Sequence, residues 1–116
     1  MNTPFYASRV FVCVPYIPEG GISTEDIHDL AVASSRFVMF SHQIPVTPAL
    51  AHLPYMNLAS QEERTLLDII SDLELMYCDE LWIMYPVPTP EMQRQIERAD
   101  FLGVPVKDYE TVIQGG

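Results

Sequence analysis

Basic residues are scarce in this chain. Six Lys and Arg stand against 16 Asp and Glu, a formal net charge of −10. Phosphate contacts dominate nucleic-acid affinity, and no basic stripe exists to make them, so duplex DNA or RNA is excluded as a partner. Such an acidic surface keeps a small protein dissolved and can also face a basic protein. Long apolar runs are missing too. None approaches the roughly 18 residues of a membrane span. Met1–Ser8 has neither the charged nor the apolar region of a signal peptide, so a cytoplasmic location is expected. Only two cysteines occur, Cys13 and Cys78, each among apolar neighbours. They share no CxxC spacing, and His28, His42 and His52 form no H-E-x-x-H. Buried, reduced thiols are expected, with no metal and no cofactor. Neither G-x-x-x-x-G-K-[ST] nor G-x-G-x-x-G is present.

What is present is alternation. The 116 residues are enough for one domain with a real core, and 48% are hydrophobic. Arg9–Val14 (RVFVCV) reads as a buried strand. A loop with Pro18, Gly20 and Gly21 follows. Ser23 and Asp26 then form a capping box for a helix running to about Ser41, with Ile27, Leu30, Ala31 and Val38 on its buried face. Gln43–Thr47 is a short strand, and Pro45 places it at a sheet edge. Pro48–Ala59 is irregular but rich in apolar groups, as a lid over the sheet edge or an oligomer contact would be. Ser60 and Glu63 make a second capping box. The helix Gln61–Tyr77 carries Leu66, Ile70, Leu73 and Tyr77 at i, i+4, i+7 and i+11, the stripe expected to be buried.

Leu81–Met84 is an unbroken apolar run inside the strand Glu80–Tyr85, as suits a central strand covered on both faces. The turn Pro86–Pro90 ends it. Thr89 caps a helix Pro90–Leu102 whose first residue is proline and whose C-cap is Gly103. Val104–Lys107 is a last strand, and Asp108–Gly116 has no clear pattern. Strands and helices alternating in this way predict a parallel sheet with helices on both faces, a three-layer flavodoxin/Rossmann-like α/β sandwich of strand order 2-1-3-4. Open α/β sheets bind ligands at the carboxyl ends of their strands. The crevice should collect Pro15, Tyr16, Pro48, Tyr85, Thr89 and Gln95, with Asp79 nearby. Trp82, inside the central strand, is expected in the core.

Several of these stretches, in this order, resemble one family. They are Pro15-Tyr16, the small residues Ala31 and Ala33, IPVTP, Cys78-Asp79-Glu80-Leu81-Trp82, Thr89-x-Glu91-Met92-x-x-Gln95-Ile96, Ala99, and Leu102-Gly103-Val104-Pro105-Val106. From Arg9 to Val106 the chain resembles small nucleoside 2-deoxyribosyltransferase-like proteins of the DUF4406 type, near the SLOG group and frequent in bacteria and their phages. The resemblance implies a flavodoxin-like fold and, in the family's enzymes, cleavage of an N-glycosidic bond. There a helix-borne glutamate attacks the anomeric carbon, a tyrosine orients it, and acids near the third strand handle the base. Such a carboxylate traps an oxocarbenium-like centre covalently.

By this resemblance Tyr16 matches the orienting tyrosine and Asp79 the acid at the start of the third strand. Gln95 stands where the nucleophilic glutamate is expected, Thr89 where a loop acid is, and Glu91 where a glycine is. An amide cannot ionise and is a very poor nucleophile. The expectation is therefore binding of a nucleoside- or nucleotide-derived small molecule by Tyr16, Asp79, Thr89 and Gln95, without glycosyl transfer. Two alternatives stand beside it. One is an N-glycosidase or deoxyribosyltransferase with a relocated carboxylate, Glu91 or Asp79. The other is a phage-type acidic interaction protein that engages a host protein. A homo-oligomer is expected with each, through Pro48–Leu58 and Phe37, Phe40 and Phe101.

Overall fold

Four short strands form one parallel sheet of order β2-β1-β3-β4, as the alternation predicts. The computed structural model describes residues 8–115, so most of the loose entry at Met1–Ser8 lies outside the described residues. The strands are β1 (Arg9–Cys13), β2 (Ile44–Val46), β3 (Glu80–Ile83) and β4 (Val106–Lys107). Phe11 pairs with Leu81 and Val46, and Leu81 pairs with Val106. Pro45 sits in the edge strand β2, where its missing N–H leaves no gap in an inner ladder.

Period-two alternation divides the core. Val10, Val12 and Trp82 face a cluster with Ala31 and Val38 of α1 (Thr24–Phe40). Phe11, Cys13, Leu81 and Ile83 face Met92 and Ala99 of α4 (Pro90–Leu102) and Leu75 of α3 (Gln61–Leu75). The helix starts follow from their caps. Ser23 and Asp26 make the reciprocal capping box of α1. The second predicted box is half formed. Ser60 accepts from the Glu63 N–H, but the Glu63 carboxylate accepts from the Asn57 N–H instead. Gly103 ends α4 in the left-handed region at φ 76°, a conformation that suits glycine.

Three expectations are corrected by the tertiary structure. The segment after β2 is ordered, with a single-turn helix α2 (Pro48–Ala51) and a 3₁₀ turn (Leu53–Tyr55). Its Leu50, Leu53, Met56 and Leu58 pack inward on the first cluster. The tail after β4 is a helix as well, α5 (Tyr109–Ile113), capped by Asp108 accepting from the Thr111 N–H, with Val112 buried. Five residues are too few to show a period, and only the cap could have marked it.

The largest correction concerns α3. Its buried residues are Leu67, Ser71 and Leu75. The stripe expected to be buried is turned outward, with Leu73 54% and Tyr77 71% exposed. The helix carries two apolar stripes, and periodicity alone does not say which one meets the sheet. Among the described residues no helix is long and apolar enough to cross a membrane.

Candidate functional site

β1 and β3 are neighbours whose following helices lie on opposite faces, so the loops after them part and leave a crevice at their carboxyl ends. One wall is the loop between Val14 and Ser23. Gly20 and Gly21 turn it with φ 62° and 88°. The other wall is the proline turn between Met84 and α4. Together they enclose a groove of about 380 Å³, with Ile17, Glu19 and Ile22 on one side and Tyr85, Pro88, Thr89 and Glu91 on the other.

Glu91 ties the two walls together. Its Oε2 accepts from the backbone N–H groups of Tyr16 at 3.3 Å and Ile17 at 3.1 Å. Two backbone donors on one oxygen fix the position of this carboxylate. Thr89 lines the groove and accepts from the Met92 N–H at 3.4 Å, capping α4. A helix start attracts anions through its free N–H groups. Here Pro90 has none, and Glu91 adds negative charge.

Gln95 lies one turn deeper, beneath the groove. It is 3% exposed, and its Oε1 accepts from the Cys13 thiol at 3.4 Å. Burial, and then the Glu91 charge, hold that thiol well above its ordinary range. Burial chiefly, with Glu74 and Asp79 behind it, pushes the Cys78 thiol up to about 12. Both cysteines are free and buried.

Tyr16 turns away from the groove. Its ring lines a separate apolar cavity of about 180 Å³ with Leu53, Met56 and Leu58. Its hydroxyl donates to Asp68 Oδ1 at 2.7 Å. Arg94 lies 3.4 Å from the same oxygen and 3.2 Å from Asp72. Burial, followed by the hydrogen bond to Asp68 and its charge, raises the Tyr16 pKa well above the usual phenol range. Below that range the bond stabilises the fold. As pH climbs past the ordinary phenol pKa the unfolded chain ionises first, and the contribution fades. Tyr16→Phe should therefore destabilise by about 2 kcal/mol near neutrality, with the deficit shrinking above roughly pH 10. Urea titrations of both proteins across that range check this.

Asp79 is not brought to the crevice. It precedes β3 at the amino ends of the strands, where its Oδ2 accepts from the Arg9 N–H at 2.8 Å. Trp82 is core, as expected, and its Nε1 donates to Glu80. Among the described residues no group of three or more His, Cys, Asp or Glu could hold a metal ion.

A family model described as a domain of unknown function, DUF7768, matches residues 8–109. The chain belongs to the DUF7768 family. The motifs pointed to the DUF4406 type, and the matching family is this other one. Comparison with curated proteins gives no match. Among solved structures, this DUF7768 chain resembles a 2-deoxyribosyltransferase from the psychrotolerant bacterium Bacillus psychrosaccharolyticus. The TM-score is 0.64 at 16% identity, over 87% of this chain and 71% of that one. The likeness shows a shared fold.

The DUF7768 domain thus shares its fold with that protein, and its polar groups fall in two places. Thr89 and Glu91 share the groove, with Gln95 beneath it. Tyr16 faces Asp68 and Arg94. Sequence reading missed Asp68, Arg94 and Asp72. Asp68 and Asp72, four apart on one helix, were a visible signal of a shared face. Their pairing with Arg94, more than twenty residues on, had none.

Proposed function

We propose that this protein binds an uncharged nucleoside or nucleoside-like small molecule in the groove between the β1 and β3 loops, without cleaving its glycosidic bond. The observation that carries the reading is the state of the two residues best placed for nucleophilic attack. Glu91 is occupied by two backbone donors, and Gln95 is a buried amide engaged by a thiol. The groove volume of about 380 Å³ falls in the range of small-molecule sites. No Lys, Arg or His lines it, whereas Glu19 and Glu91 do. That charge balance favours a neutral sugar and base over a phosphate.

Calorimetric titration with nucleosides, and with the matching 5′-phosphates, tests the proposal. Binding of nucleosides with weaker binding of the phosphates is expected. No heat from any nucleoside at millimolar concentration rejects it.

One observation favours glycosidic-bond chemistry instead. Tyr16 and Asp68 form a close tyrosine–carboxylate pair like that implied by the family resemblance, carried here by α3. Release of free base from a deoxynucleoside, abolished by Asp68→Asn, would establish that reading over binding alone.

A further inference from the structure

We infer that the cavity between α1 and α5 is a second ligand site, separate from the groove, for a small aromatic carboxylate. Its volume of about 320 Å³ falls at the low end of small-molecule sites. α1 runs back against the strand direction, so Ser41 and Gln43 in its lining lie toward the amino ends of the strands. The groove opens at the carboxyl ends, and the two share no lining residue.

The lining supplies both halves of such a ligand with a partner. Phe37 of α1 meets Trp82 of β3 edge to face, with centroids 6.3 Å apart and planes at 68°. A flat ring can join such a pair as a third member. Among the described residues, the only charged side chain in the lining is Lys107 of β4. The groove has the opposite character, with Glu19 and Glu91 in its walls. Register sets Lys107 beside Trp82, and its ammonium lies 5.5 Å from the Trp82 ring centroid. Glu80 holds it there. The Glu80 Oε1 lies 3.4 Å from Lys107 Nζ and accepts from Trp82 Nε1 at 2.7 Å. Glu80 is itself outside the lining, so a ligand meets the cation and not the acid. An ammonium has three donors, and Glu80 occupies one. The others, with the Thr111 hydroxyl and the Gln43 amide of the same lining, suit a carboxylate. One cation with an acid beside it matches a single negative charge better than a phosphate's two. The inference does not rest on the nucleoside reading.

Trp82 is the single tryptophan of the chain, so its fluorescence reports directly on this cavity. Fluorescence titration of the intact protein with phenylacetate tests the inference. Phenylacetamide serves as the neutral counterpart and cyclohexylacetate as the non-aromatic one. A saturable change with phenylacetate below millimolar concentration is expected, with both other compounds at least about tenfold weaker. Lys107→Met should remove the preference for the acid over the amide. Lys107 is 44% exposed on an edge strand, so this variant should fold. Glu80→Gln keeps an acceptor for Lys107 and Trp82 but removes the competing charge, and should tighten phenylacetate binding about threefold or more. If Lys107→Met loses its native circular dichroism, Glu80→Gln and the comparison of acid with amide decide. No saturable response to phenylacetate, equal affinity for acid and amide, or binding indifferent to both substitutions would each overturn the inference.

Discussion

Gln95→Glu should destabilise the protein by about 3 kcal/mol at neutral pH and confer no glycosidic activity. The substitution restores the residue that the family resemblance leads one to expect. It does so at a position 3% exposed, packed against the Cys13 thiol and close to the Glu91 charge. Desolvation and a like charge both disfavour an ionised carboxylate there. The folded-state pKa of the new glutamate therefore rises above its unfolded value. Such a group binds its proton more tightly when folded, so the deficit is largest above the folded pKa. It disappears as pH falls through the ordinary carboxyl range, about pH 4. Urea midpoints of variant and unaltered protein at neutral and acidic pH check this. A variant as stable as the parent at pH 7 would mean that the side chain reaches water. Base release by Gln95→Glu would mean that the crevice lacked only a nucleophile.

Glu91→Ala should cost about 2 kcal/mol and weaken nucleoside binding at least roughly tenfold. The loss is in geometry. Without the carboxylate, the N–H groups of Tyr16 and Ile17 have no acceptor, and the loop that forms one groove wall is no longer held to α4. Glu91→Gln keeps a carbonyl oxygen in the same place and should restore most of both quantities. A nucleophile would behave otherwise, because an amide cannot replace an attacking carboxylate. Comparing the two variants by calorimetry and chemical denaturation therefore separates a tether from a catalytic group. Equal loss of function in both would argue against the tether.

Much of the architecture could be read directly from the chain. The four strands, the helices between them and the bounds of α4 depend on local signals. These are a capping threonine before a proline, a glycine after the last turn, and an apolar run too short for a helix. Each acts within a few residues, so neighbours in sequence are enough. The chain's acidity is a matter of composition alone, and that Gln95 stands where a glutamate is expected is what the family resemblance implies.

Contacts between distant segments followed no such rule. Tyr16 and Asp68 are 52 residues apart, and Asp79 reaches Arg9 across 70. Nothing local distinguishes a tyrosine that lines the groove from one turned to α3, or an acid at the carboxyl edge of a sheet from one at the amino edge. The two stripes of α3 make the same point. Leu67, Ser71 and Leu75 match helical spacing as well as Leu66, Ile70 and Leu73 do. Only packing against β1 and β3 decided which stripe is buried. The sequence by itself determined the four strands, the three long helices, their order along the chain and the chain's charge, because those follow from near neighbours and composition. Which side chains share the groove, and which apolar face of α3 is left to the surface, was decided by the tertiary structure. Those outcomes depend on how separate helices rotate and settle on one sheet.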